Sequence, residues 1–252
     1  MTSFARYDVG GQVATITLDS PENRNALSRT LVGELTSSLT AAGRDRGVRA
    51  VVLTHTGRVF CSGADLSEPG GSVSDATAAI LGLLTGVVEL DKPVIARITG
   101  HVRAGGMGIV GACDLAVATE TASFAFTEVR LGLTPAIISL TTLDLMPPRG
   151  AARYYLTGET FDAATAADLG LITISASSGN VDDVVAGFTE RIRETSPQGA
   201  AETKRLLATA RRQRLASESA GLAALSARLF ESDEAQEGIR AFLERRPPAW
   251  RQ

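Results

Sequence analysis

The chain has 252 residues, 44% of them hydrophobic, with 25 glycines and a net charge of −3 at neutral pH. That length suits one large domain or a domain with an appended segment, and no basic stripe is present to recruit nucleic acid or anionic lipid. The amino-terminal stretch lacks an apolar signal core, no run reaches membrane-spanning length, and Cys61 and Cys113 stand far apart, so a soluble cytoplasmic protein without a disulfide framework is expected.

In chain order, the β-branched run over 13–18 predicts a strand, entered from a Gly-Gly turn. A polar turn follows over 19–25. A helix is then predicted from about Ser28, carrying Leu31, Leu35 and Leu39 at four-residue spacing. A second strand over 50–54 runs into the glycine-marked loop Phe60-Cys-Ser-Gly-Ala-Asp-Leu66. Residues 67–75, rich in Ser and Gly, read as a flexible surface loop. A helix over roughly 76–90 precedes a strand over 93–98. The glycine-rich stretch Thr99-Gly-His-Val-Arg-Ala-Gly-Gly-Met-Gly108 then enters an apolar helix, followed by short strands near 115–118 and 123–125. Strands and helices alternating over half the chain predict an α/β fold. Beyond about Pro197 no strand is expected. Leu206, Leu207, Leu215, Leu222, Leu225 and Leu229 give helix faces that need a partner, either the α/β body or another subunit. The expected division is a core over 1–196 and a helical segment over 197–252.

Two glycine patterns invite chemistry. Gly106-Met-Gly108-Ile-Val-Gly111 reads as G-x-G-x-x-G, but six residues separate Ile98 from Gly105, whereas a dinucleotide fingerprint turns directly from strand to helix. Close helix packing is the blander reading of the same glycines. A better one starts from the free N–H groups of a helix start, which favour negative charge where side-chain bulk is small. Ser62-Gly-Ala-Asp65 offers a second such approach. Two N–H donors from separate loops, meeting on one carbonyl, make an oxyanion hole. His55 and His101 sit in no triad pattern, which disfavours a serine hydrolase. No His/Cys/carboxylate cluster has metal-ligand spacing, so no metal is expected. Cys61 and Cys113 read as small buried apolar residues, and His101 as a loop-packing residue.

In order along the chain, several motifs resemble those of the crotonase superfamily, the enoyl-CoA hydratases and isomerases. Pro21-Glu-Asn-Arg-Asn-Ala-Leu27 is similar to its early CoA-binding turn, and Phe60-Cys-Ser-Gly-Ala-Asp-Leu66 to its first oxyanion segment. Gly100-His-Val-Arg-Ala-Gly-Gly-Met-Gly108, followed by Ala112-Cys-Asp-Leu-Ala-Val117, is similar to the second. Phe124-Ala-Phe-Thr-Glu128-Val-Arg-Leu-Gly-Leu-Thr-Pro135 resembles the glutamate-bearing segment, and Ala241-Phe-Leu-Glu-Arg245 the C-terminal motif. The resemblance implies a spiral of ββα units with a helical trimerisation segment, forming homotrimers or homohexamers. It also implies an acyl-CoA thioester as substrate, with coenzyme A part of that substrate and no separate cofactor.

By position, the resemblance gives the oxyanion donors to the amides of Ser62 and Gly105 and the acid/base role to Glu128. Arg24, Ala26, Ala64, Asp65 and Leu66 would border the CoA chain. Phe242 and Arg245 would do so from the C-terminal segment, with Arg245 reaching a neighbouring subunit's nucleotide phosphates. Arg24 and Arg245 also read simply as solvated surface charge. The pattern departs at Gly108, which stands where well-known hydratases carry a second glutamate. One carboxylate can serve hydration, with the Ala136 amide helping to hold the water, or double-bond isomerisation; a non-catalytic acyl-CoA binder is the third reading. Thr127-Glu-Val-Arg-Leu-Gly-Leu-Thr-Pro-Ala-Ile-Ile-Ser139 is similar to a bacterial branch acting on branched or glutaconyl-type esters. Arg103, two residues before Gly105, is expected either to pair with a distal acyl carboxylate or, more blandly, to form a salt bridge or stand as an exposed loop arginine.

Overall fold

The computed structural model describes residues 3–68 and 72–251. Strands β1 (Ala5–Gly10) and β2 (Val13–Leu18) form an antiparallel hairpin. Helix α1 (Arg29–Arg44) follows, and its start is fixed by Ser28, whose hydroxyl accepts the Leu31 N–H at 3.2 Å. Its four-residue leucine spacing puts Leu31, Leu35 and Leu39 into the core.

Three ββα units come next. The first is β3 (Ala50–His55), β4 (Val59–Cys61) and α2 (Val73–Glu89); the second is β5 (Val94–Ile98), β6 (His101–Arg103) and α3 (Gly105–Ala112). The third is β7 (Leu115–Thr119), β8 (Ser123–Ala125) and α4 (Ala136–Thr142). Each unit sends its first strand to one sheet and its second to another. The larger sheet runs β1-β2-β3-β5-β7-β10, with β10 at Ile174–Ala176 and all pairs parallel after the first. The smaller runs β4-β6-β8-β9, with β9 at Phe161–Asp162. This repeated two-sheet stitching is the spiral that the motif order implied.

The larger sheet is covered on both faces. Val51, Leu53, Val94, Ala96, Ala116 and Ala118 face the main core, while Val52, Ile95 and Val117 alternate to the opposite side under α7 (Val181–Glu194). Strands buried on both faces read as unbroken apolar runs, which is why they stood out in the sequence. Helices α5 (Pro148–Thr157) and α6 (Ala163–Asp168) lie between α4 and β10 in the chain. After Pro197 the described residues are helical: α8 (Pro197–Leu207), α9 (Thr209–Phe230) and α10 (Asp233–Leu243). The partner for part of this segment is the chain's own body, because α9 packs along α2 and α4 and buries Leu215 in the main core. Leu206 and Leu207 stay exposed. The expected 67–75 loop lies partly outside the described residues, and α2 begins earlier than predicted, at Val73, behind a Ser72 cap. No helix among the described residues is long and apolar enough to cross a membrane.

Candidate active site

Both glycine-rich segments leave the smaller sheet at the ends of neighbouring parallel strands, β4 and β6, so sheet pairing brings them side by side. Gly63 has φ +96°, a conformation that L side chains rarely adopt, and it turns the chain sharply after β4. A side-chain carbon placed on Gly63 would lie 3.2 Å from the Gly105 nitrogen and 2.7 Å from the Ala104 Cβ. One placed on Gly105 would lie 3.7 Å from the Ala64 nitrogen. The two segments therefore meet backbone to backbone, at a spacing only glycine allows.

Ala104 carries the strain of this meeting, at φ 45° and ψ −120°. A non-glycine residue there costs about 1–3 kcal/mol and persists only where its surroundings hold it. Here its N–H donates to the Ala125 carbonyl at 3.2 Å and its carbonyl accepts the Met107 N–H at 2.8 Å. Gly105 then opens α3, where its N–H has no acceptor within the helix. On the other side, the Leu27 N–H donates to the Gly63 carbonyl at 2.8 Å and the Asp65 N–H to the Leu27 carbonyl at 3.4 Å. This short bridge leaves the intervening Ala64 N–H unclaimed by backbone among the described residues and on the side of Gly105. The N–H that faces this junction is therefore that of Ala64 and not that of Ser62, to which the motif resemblance gives it. Ser62 precedes the Gly63 turn, and its position cannot be read from residue type alone.

Glu128 opens a 3-10 turn (Glu128–Leu131) three residues beyond Ala125, whose carbonyl holds Ala104. The residue as a whole is half-buried, yet its Oε2 is closed to solvent and has no hydrogen-bond partner. Burial raises its pKa to about 7, opposed only by a hydrogen bond to its own backbone. Phe126 stacks on Tyr155 beneath the turn at 4.2 Å between ring centroids, and α10 packs over it from the C-terminal segment. An unpaired buried carboxyl poised near neutrality is a functional signature rather than a stabilising feature.

A two-amide backbone junction has the chemistry to stabilise an oxyanion, and a buried carboxyl titrating near neutrality has the chemistry to move a proton. The enoyl-CoA hydratase/isomerase family matches residues 8–252. The chain belongs to that family. It is 48% identical to an enoyl-CoA hydratase of Mycobacterium avium, with a TM-score of 0.92 over 99% of this chain and 100% of that one. It resembles the carnitinyl-CoA hydratase of Mycobacterium avium at 31% identity and TM-score 0.86, covering 99% of both chains. It is also 30% identical over 249 residues to the (E)-benzylidenesuccinyl-CoA hydratase of Thauera aromatica, covering 97% of each.

Against this family background, three further expectations change. Gly108 is no vacancy left by a missing glutamate: a side-chain carbon there would lie 2.6 Å from Ile138 Cγ2 and 3.3 Å from Leu84 Cδ1. The Ala136 N–H is not available for a water, because Pro135 (φ −69°, ψ 52°) turns it back onto the Thr134 carbonyl at 2.7 Å. Arg103 is engaged within the fold and forms no salt bridge among the described residues. Val102 takes the core-facing position of β6, so Arg103 faces the other side, where its guanidinium donates to the Ser123 carbonyl at 2.6 Å, the Val102 carbonyl at 2.8 Å and Ser123 Oγ at 2.8 Å. His101 lies on that same face, its Nδ1 2.9 Å from Ser123 Oγ.

Of the residues expected to border coenzyme A, Ala26 is buried beside the Leu27 bridge and Arg24 is exposed at the left-handed end of the 3-10 turn Pro21–Asn23. Asp65 anchors its own loop, accepting the Ser67 N–H at 3.0 Å and, more weakly, the Asn23 side-chain amide at 3.4 Å; Leu66 beside it is half-buried. Phe242 and Arg245 are exposed at the end of α10. Ile138 and Leu84, which wall off Gly108, were not singled out by sequence. No signal was available, since each sits in an ordinary apolar helix.

Proposed function

We propose that the protein is an enoyl-CoA hydratase-type lyase, adding water across the α,β double bond of an enoyl-CoA thioester or removing it from the hydrated product. The thioester oxygen accepts hydrogen bonds from the Ala64 and Gly105 amides. The Glu128 carboxylate takes a proton from water as the water oxygen bonds to Cβ. The alkene electron pair shifts toward the carbonyl, and the resulting negative charge rests on the oxygen between the two amides. The enolate then collapses, Glu128 returns its proton to Cα, and a 3-hydroxyacyl thioester leaves with the carboxylate regenerated. A group titrating near 7 serves both halves of that cycle at neutral pH. Coenzyme A enters with the substrate, and no separate cofactor takes part in this scheme.

The observation that carries the reading is the sealed, unpartnered Oε2 of Glu128 in a chain of this family. Glu128→Gln tests it: turnover should fall by about 10²–10⁴-fold with affinity for the CoA ester retained. Label from 18O-water should appear in the product of the wild-type reaction. A double-bond shift without label would instead indicate an isomerase, and binding without turnover across varied enoyl esters a non-catalytic acyl-CoA binder. We further propose a homotrimeric or homohexameric assembly, supported by exposed Leu206, Leu207, Phe242 and Leu243 along the C-terminal segment.

A further inference from the structure

The two amides are useful only if the turn bearing Ala64 keeps its orientation, and the smaller sheet stops one residue before that turn begins. What holds it next is a side chain. The Gly63 N–H donates to the Cys61 sulfur at 3.4 Å, closing a two-residue ring about Ser62. That bond fixes the Ser62–Gly63 peptide, the Leu27 N–H on the Gly63 carbonyl fixes the next one, and the two together set the Gly63 turn from which the Ala64 N–H projects beside Gly105. Cys61 also touches the second half of the site. A side-chain carbon on Gly106 would lie 2.8 Å from Cys61 Cβ and 2.9 Å from its carbonyl oxygen, so α3 is seated directly on this residue. Cys61 is completely buried, and its thiol remains protonated because burial pushes its pKa to about 12.

We propose that Cys61 is a positioning residue for the oxyanion hole, setting the turn that aims the Ala64 amide and the seat that fixes the height of α3. This rests on the two-amide reading above and adds the residue that maintains it. Sulfur suits the task because it is a weak acceptor for one N–H, without the stronger hydration of a hydroxyl, while the contact with α3 is made by Cβ and the carbonyl oxygen and is kept in Cys61→Ala.

The test uses the full-length enzyme with Cys61→Ala, which removes the acceptor, and Cys61→Ser, which retains one. Removing an oxyanion donor outright costs about 10²–10³-fold in kcat, and misaiming one is expected to cost about tenfold. Cys61→Ala should show that loss in kcat with KM changed less than twofold, and Cys61→Ser should recover most of it. Infrared difference spectra of a bound 13C-carbonyl enoyl-CoA give a readout that a merely structural residue would not move. The carbonyl stretch is expected at lower frequency in the wild type and in Cys61→Ser, and shifted back toward its solution value in Cys61→Ala. Unchanged kcat and carbonyl frequency in a folded Cys61→Ala enzyme overturn the proposal, as does Cys61→Ser falling in step with Cys61→Ala. Should no hydratase turnover be found while the carbonyl shift follows Cys61 as described, the reaction assignment fails and the positioning role stands. A wild-type enzyme whose bound carbonyl shows no shift defeats both.

Discussion

Gly108 and Glu128 occupy the two positions where a two-carboxylate hydratase would place its acids, and the structure treats them in opposite ways. At Gly108 the wall is closed by Ile138 and Leu84, so nothing polar could enter without displacing apolar packing. At Glu128 a carboxyl oxygen is sealed in with no partner at all. The first region is optimised for packing, and the second tolerates a cost that packing alone would remove. The contrast teaches that the position without a glutamate is filled by apolar packing, and under the proposed reaction a single acid/base group would carry every proton.

The comparison can be broken most severely by moving the carboxyl. In a Glu128→Gln/Gly108→Glu double variant, the 10²–10⁴-fold loss expected of Glu128→Gln should not be recovered, since position 108 has no space facing the substrate. Steady-state turnover measures this, and substantial recovery would mean that the wall yields and the two positions are interchangeable.

Next in size is the stability cost at Glu128. Its pKa is raised from 4.5 to about 7 on folding. Below pH 4.5 the carboxyl is protonated in both states and no penalty exists. Between 4.5 and about 7 the unfolded chain ionises first, so stability falls as pH rises, and above about 7 the loss is constant. That loss is about 3 kcal/mol. Glu128→Gln should therefore be more stable than the native protein by up to that amount at pH 8, with the gain vanishing near pH 4. Denaturant titrations at the two pH values check this. A gain independent of pH would mean that folding does not raise the carboxyl's pKa. The same titration predicts that kcat/KM for hydration rises through about pH 7 as the base form appears.

Smaller again is the wall itself. Gly108→Ala should lose about 1–2 kcal/mol, because overpacking against the branched Ile138 outweighs the roughly 1 kcal/mol that alanine gains within a helix. Thermal melts of Gly108→Ala and Gly108→Ala/Ile138→Val should show partial relief in the second. The smallest effect is expected at Ser62→Ala, with kcat within about twofold of wild type, since the neighbouring donor is the Ala64 amide and the Ser62 hydroxyl has no assigned part. A loss approaching the 10²-fold scale of a deleted oxyanion donor would give the Ser62 hydroxyl a part in the reaction.

Much of the frame was legible in the residues. The fully buried strands β3, β5 and β7 announce themselves as apolar runs, and Ser28 with its leucine ladder marks α1. Strand β1 was not foreseen, because only Ala5 along its length is buried and an edge strand shows little periodicity. Strands β4 and β6 escaped for a different reason: each runs straight into a glycine-rich turn, so its few residues read as part of a loop. At the site, Glu128, Gly105 and the Ser62-Gly-Ala-Asp65 turn were all legible from motif order, whereas the choice of Ala64 over Ser62 was not.

The sequence by itself determined the buried strands and the main helices, which residues are apolar enough to fill a core, and that position 108 bears no acid. Only the tertiary structure decided direction: that Arg103 faces Ser123, that the Ala136 amide folds back on Thr134, and that Oε2 of Glu128 is shut away from water. Residue type fixes what a group can do. The direction in which an N–H or a guanidinium points is set by strand alternation, turn dihedrals and neighbours distant in the chain, none of which is written at the residue itself.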